Sequence, residues 1–170
     1  SITGGNAYLG GYTELEYHEF QDGVLGVPRG FRAPRTNLFL FSDVSDRVRF
    51  GSEIEFENEA PGEDLEIKTE MAFVDWTLYQ ELILRGGVIL APLGRVNVNH
   101  DGPVRELTDR PLVSTFVIPT TLSEAGVGAH GTFSAVGPFD FGYEAYLTNG
   151  FRLLDDRGVP AAPFIDREQI

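Results

Sequence analysis

The sequence predicts an all-β fold: an antiparallel up-and-down transmembrane β-barrel, present as an incomplete portion of about seven strands in one domain over residues 1–170. Three observations predict it. Apolar and polar residues alternate one for one through most segments, as they do in strands, whose successive side chains point to opposite faces. The polar face carries charge at nearly every position, which a strand at the surface of a soluble sheet seldom does. Long and short connections also alternate, as in barrels with short turns on one rim and longer loops on the other.

The first strand is expected over 8–18, YLGGYTELEYH, with Leu9, Thr13, Leu15 and Tyr17 on one face and Tyr12, Glu14, Glu16 and His18 on the other. QDGVLGVPRGFRAPR is dense in Gly and Pro and reads as loop. RTNLFLFSD, 35–43, is apolar on both faces near its centre, and the short turn DVSD, 43–46, joins it in a hairpin to 47–58. That next strand, RVRFGSEIEFEN, sets Arg47, Arg49, Glu53, Glu55 and Glu57 against Val48, Phe50, Ser52, Ile54 and Phe56.

After a turn at EAPGED comes DLEIKTEMAFV, 64–74. Leu, Glu, Lys, Met and Ala all favour helix, yet the period is nearer two. Leu65, Ile67, Thr69, Met71 and Phe73 face one way, and Asp64, Glu66, Lys68 and Glu70 the other. A turn near VDWT, 74–77, leads to YQELILRGGVILA, 79–91, where Leu82, Leu84, Val88 and Leu90 oppose Glu81 and Arg85. Residues 92–123 show no period and form a long loop. Alternation resumes in 124–135, EAGVGAHGTFSA, and in 139–149, FDFGYEAYLTN. Phe139, Phe141, Tyr143, Ala145 and Leu147 face away from Asp140, Glu144, Tyr146 and Thr148. The tail, 150–170, has no clean period.

Composition narrows the partners. Thirteen Lys+Arg against 26 Asp+Glu give a formal net charge of −13, which argues against a nucleic-acid backbone. Without cysteine there is neither a disulfide scaffold nor a thiolate metal site. No run approaches the roughly 18–20 apolar residues of a spanning helix, the longest being VILAPL at 88–93, but a barrel spans with strands of about 9–11 residues. The opening SITGGNAYLGG has no basic or apolar leader character and reads as the inside of a mature protein or as a fragment.

In a barrel, lipid demands an apolar outer face and a water-filled lumen accepts charge. The expected pore-lining residues are Glu14, Glu16, Arg47, Arg49, Glu53, Glu55, Glu57, Glu66, Lys68, Glu70 and Arg85. A charge on the lipid side costs about 2–4 kcal/mol near the midplane, and the apolar registers of 47–58, 64–74 and 139–149 carry none. Phe73, Trp76, Tyr79, Phe139, Phe141 and Phe151, near strand ends, suit interfacial girdles.

Several runs, taken in order, carry a resemblance: GGYTELEYHEF, FRAPRTNLFLFSDVSDRVRFGSEIEFENE, EIKTEMAFVDW, LRGGVILAPLGRVNVNHDGP, TDRPLVSTFVIPTTLSEAGVGAHG and GYEAYLTNGF. From about 8 to 151 the chain resembles bacterial outer-membrane porins of the phosphate-selective type. The resemblance implies a porin of the outer membrane in contact with its lipid, built of many more strands, forming a homotrimer and passing small solutes or ions by diffusion. It makes this chain the N-terminal part of the barrel, since open edges have to be paired in a membrane. Loop 92–123 becomes the third extracellular connection, a constriction loop with His100, Asp101, Arg105, Glu106, Asp109 and Arg110. One departure matters. Phosphate selectivity needs clustered Lys and Arg, whereas the inferred lumen is mainly acidic apart from Lys68, Arg47, Arg49 and Arg85. The expectation is no strong phosphate preference and a mild preference for cations.

No catalytic residue, cofactor or metal is expected. His18, His100 and His130 lie far apart, NHDGPVRE lacks the spacing of a calcium loop, and neither G-x-S-x-G nor a phosphate-cradling loop occurs. Glu53 and Glu55 project about 7 Å apart from one strand face, a separation glycosidases use, but Glu repeated down whole strands fits a hydrated lumen better. The main alternative is a soluble or cell-surface β-sandwich binding carbohydrate or protein through its long loops. A barrel-borne enzyme ranks third.

Overall fold

The computed structural model describes residues 6–18, 30–58, 64–105, 111–116, 121–134 and 139–150. The chain divides into two compact units, Ser1–Trp76 and Thr77–Ile170. Both are mostly antiparallel β-sheet, and among the described residues no closed barrel is formed. No described helix is long and apolar enough to cross a membrane.

The first unit holds β1 (Ala7–Thr13), β2 (Glu16–His18), β3 (Gly30–Arg32), β4 (Arg35–Ser45), β5 (Val48–Glu57) and most of β6 (Glu66–Tyr79). β4 pairs with β1 on one side and β5 on the other, and β5 pairs with β6, all antiparallel. The strand expected over 8–18 is broken. β1 ends at Thr13, and Glu16–His18 pairs instead with Gly30–Arg32 in a separate ribbon, placing Glu16 opposite Arg32. The β4–β5 hairpin is tighter than expected. β4 runs to Ser45, so Arg47 sits in the turn rather than on the strand, its N–H and that of Val48 near Ser45 Oγ.

β6 departs further. It continues through Val74, Asp75 and Trp76 to Tyr79, so the turn expected at 74–77 is strand. The register also slips by one residue: Ile54 faces Thr69 while Glu53 faces Met71, leaving Glu70 as the extra residue of a bulge. A bulge exchanges the two faces of the strand beyond it. Met71 and Phe73, expected beside Ile67 and Thr69, therefore lie opposite Glu53 and Gly51, and Val74 and Trp76 take the other face.

The second unit begins with the end of β6, turns at Gln80 and Glu81, and continues through β7 (Leu82–Leu90), α1 (Gly94–Val98), a 3-10 turn (Gly102–Val104), α2 (Leu112–Phe116), β8 (Ser123–Ser134) and β9 (Asp140–Thr148). β8 pairs antiparallel with β7 and β9. Gln80 and Glu81, expected on a strand, are held as a turn: Thr132 N–H reaches Gln80 O, and Tyr143 Oη–H donates to Glu81 O at 2.7 Å. The long loop expected over 92–123 carries the two short helices, and Gly94 opens the first with φ +69°, a conformation few other residues adopt.

In both units one sheet face is apolar and open. Leu9 is 77% exposed, Trp76 50%, Val127 59% and Leu147 77%. The opposite face of the first unit buries polar side chains, including Asn37, Glu53, Glu55, Glu70 and Asp75. Among the described residues Ile89 is the only hydrophobic side chain that is fully buried. This is the reverse of a soluble sheet, where charge is almost never fully buried and apolar bulk lies inside.

Candidate functional site: the polar sheet face

Cross-strand neighbours in an antiparallel pair point to the same side, so the registers assign the faces. On the polar side of the first unit Arg35 lies opposite Glu57, Asn37 opposite Glu55, Phe39 opposite Glu53, Phe41 opposite Gly51 and Asp43 opposite Arg49. From β6, Lys68 joins beside Glu55 and Glu66 beside Glu57.

Charges on this face are held in pairs. Arg35 stands between Glu14, 3.0 Å from its Nε, and Glu55, 3.4 Å from Nη1, all three side chains largely covered. Asn37 Nδ2 donates to Glu53 Oε1 at 2.6 Å. Lys68 Nζ binds Glu57 at 2.6 Å and Glu66 at 3.3 Å. Nearer the β4–β5 turn, Arg49 Nε meets Asp43 at 2.9 Å in the open. Covered ions that kept no partner would cost several kcal/mol each, which is why the cations are set among carboxylates. Carboxylates outnumber cations here, and the face is acidic.

The lower part of the same face is filled rather than charged. The rings of Phe41 and Phe73 close over Gly51, where a Cβ would come within 2.7 Å of Phe73 Cζ and 3.0 Å of Phe41 Cε1. That is why Gly51 interrupts the run of charges in RVRFGSEIEFEN.

The second unit builds its polar face differently. Arg85 lies opposite Gly128, which lies opposite Tyr146; Gly87 lies opposite Gly126 and then Thr148; Ile83 opposite His130 and then Glu144. Tyr146 Oη–H donates to Glu144 Oε2 at 3.0 Å. A Cβ on Gly128 would run into the Tyr146 ring and Ala145 O, so the ring takes the space that the glycine leaves.

The β7–β8 loop is closed at its neck by one side chain. Buried Asn97 donates from Nδ2 to Ala91 O at 2.7 Å and Leu122 O at 2.9 Å, and its Oδ1 accepts from Leu122 N–H at 2.8 Å. Ala91 N–H donates to Leu122 O at 2.9 Å alongside. His100 is 1% exposed with Nδ1 3.1 Å from Asn97 O. Of the other loop residues expected at a constriction, Asp101 and Arg105 are half-buried, whereas Glu106, Asp109 and Arg110 lie outside the described residues.

The structure thus gathers Glu14, Glu53, Glu55, Glu57, Glu66, Lys68 and Glu70 on the polar side of the first unit, puts Arg49 at its edge, and sets Arg85 on the polar side of the second. Arg47 and Glu16 are displaced to a turn and a ribbon. Sequence reasoning passed over Arg35, Asn37 and Asn97. The first two alternate with Thr36 in the RTN of strand 35–43, a polar face visible only if the strand's ends are read apart from its apolar centre. Asn97 is the first of the two asparagines of PLGRVNVNH.

No family model matches the chain, and no solved structure matches it. An uncharacterized protein of Aquifex aeolicus (strain VF5) is 32% identical over 158 residues, which is 91% of this chain and 35% of the relative. The chain therefore spans about a third of the length of the curated relative it matches.

Proposed function

We propose that this chain is wall of an outer-membrane β-barrel porin, a water-filled channel through which small solutes or ions diffuse. One observation carries the reading: charged side chains share one sheet face and apolar side chains lie open on the other, in both units. Lipid would cover Leu9, Leu38, Leu40, Val127 and Leu147 without any further protein, while water and paired charges would occupy the polar side. β4, β5, β7 and β9, with 11, 10, 9 and 9 residues, have the length a tilted strand needs to cross hydrocarbon. The resemblance to phosphate-selective porins adds a trimer and further strands, which fits a relative of which this chain matches only 35%. The acidic lining argues for cations over phosphate.

A β-sandwich would cover the same open apolar face with a second sheet, so the test is solubility and conduction. The full-length protein is expected to need detergent, to migrate differently when heated, and to give stepwise conductance in planar bilayers with a reversal potential on the cation-selective side. Clear anion selectivity would remove the cation preference. A 170-residue chain that is monomeric and stable without detergent would overturn the porin reading.

A further inference from the structure

The polar side of the first unit breaks its own pattern along β1. Tyr8, Gly10 and Tyr12 lie on that side, since they stand opposite Phe41, Phe39 and Asn37. Phe73 of β6 joins them, opposite Gly51. Aromatic rings thus occupy positions that elsewhere on this face carry charge. Packing accounts for Phe41 and Phe73, which close over Gly51. It does not account for the rest. Tyr8 is 56% exposed, and Tyr12 and Phe39, both half-buried, stack with ring centroids 6.2 Å apart. Between the two tyrosines Gly10 leaves the surface open, where a Cβ would meet nothing within 4 Å. Tyr8, Tyr12 and Phe39 therefore border a gap whose floor is the Gly10 backbone.

We propose that this gap takes a small organic cation, a substituted or quaternary ammonium group. The faces of aromatic rings attract cations, and ammonium groups dressed with carbon are the ligands that such ring clusters recognise. The charge around the rings has the matching sign. Glu53 stands opposite Phe39, and Asp43 and Asp75 flank Arg49 in the row next to Phe41 and Phe73, so carboxylates outnumber cations. Glu53 is bonded to Asn37 and Asp43 to Arg49. These carboxylates supply a field, and the rings supply the contact. A neutral apolar solute would use the rings alone and a metal ion the carboxylates alone. A solute that is both apolar and positive uses both. The proposal deepens the channel reading and rests on it for the route by which a solute arrives.

The test titrates tetramethylammonium into the full-length protein in a non-ionic detergent and reads binding by calorimetry. Wild type should bind it saturably, about tenfold or more tightly than tert-butanol, a neutral molecule of similar shape. Tyr8→Leu and Phe39→Leu should each weaken binding about fivefold, while Tyr8→Phe, which keeps the ring, should match wild type. Gly10→Val fills the gap with every ring in place and with room for the new side chain, so it should fold and lose binding. Phe141→Leu removes an exposed ring from the apolar side of the second unit and should change nothing. No saturable binding by wild type, tert-butanol bound as tightly, or Gly10→Val binding like wild type overturns the proposal. Strand content by circular dichroism reports folding, and the contrast of Gly10→Val with Tyr8→Phe decides even if the Leu variants fail to fold. Calorimetry needs no bilayer. Absent binding with conductance intact would strike this site alone, and binding without conductance would strike the channel reading alone.

Discussion

The two units present the same apolar side and fill the other side in different ways. In the first, cations are threaded between carboxylates: Arg35 between Glu14 and Glu55, Lys68 between Glu57 and Glu66. In the second, glycines at 126 and 128 clear space, and Tyr146 lies across the last of them. What is constant is therefore the apolar side, which lies open in both units. The polar side differs between them, as the proposed water-filled lumen would allow. A protein core would demand the opposite: a uniform apolar filling inside and variation outside.

The largest effect that tests this comparison comes from charging the constant side. Leu40→Arg in β4 and Val127→Arg in β8 place a guanidinium where the native side chain is 42% and 59% exposed. At the surface of a soluble sheet such changes stay within about 0.5 kcal/mol. Facing lipid near mid-depth they should each cost about 2–4 kcal/mol. Urea titration of folding into lipid vesicles reads the difference. Equal losses in both variants support a shared lipid face; a loss in one unit only would mean that the likeness of the two apolar sides is accidental.

Val127 belongs to a strand whose faces were legible in the sequence, whereas Leu40 lies at the centre of 35–43, apolar on both faces. In β5, β7, β8 and β9 the period of two holds end to end, and alternation is enough to sort side chains; β4 is apolar on both faces near its centre and its register slips between Asp43 and Ser45. Alternation fails where the backbone adds or removes a step. The bulge at Glu70 shifts EIKTEMAFVDW by one residue, so counting from Ile67 puts Met71 and Phe73 on the wrong side. The clue was Asp75 between Val74 and Trp76, a new alternation out of phase with the first. The break after Thr13 was hidden because Leu15 and Tyr17 keep the phase across it. Asn97 could not be found by pattern at all. Its role depends on bonds to Ala91 and to Leu122, 25 residues on, and nothing local distinguishes it from Asn99 beside it.

A middle-sized effect tests the way the second unit is filled. Gly128→Ala would drive a methyl group into the Tyr146 ring and Ala145 O, whereas Gly10→Ala in β1 would meet nothing within 4 Å. Overpacking of this kind costs about 1–3 kcal/mol, so Gly128→Ala should lower the unfolding midpoint clearly and Gly10→Ala should barely move it. Pairing Gly128→Ala with Tyr146→Ala should recover part of the loss, because the ring is one of the obstructions. A double variant no better than Gly128→Ala alone would put the whole constraint on the backbone of Ala145 and Tyr146.

The smallest effect lies at the edge of the first unit, where its ion pairing meets solvent. Arg49 and Asp43 bond at 2.9 Å with side chains 64% and 37% exposed, while Arg35 and Glu55 are 12% and 4% exposed. Exposed pairs contribute roughly 0–1 kcal/mol and are screened by salt. Arg49→Gln should therefore destabilise by no more than about 0.5 kcal/mol in dilute buffer. In about 1 M salt, where the screening length falls to about 3 Å, it should match wild type. Arg35→Gln strips its cation from covered carboxylates, so it should cost several times as much and keep most of that loss at high salt. If salt erased both effects equally, the covered network would be as wet as the rim. The filling of the first unit would then be hydrated charge from top to bottom.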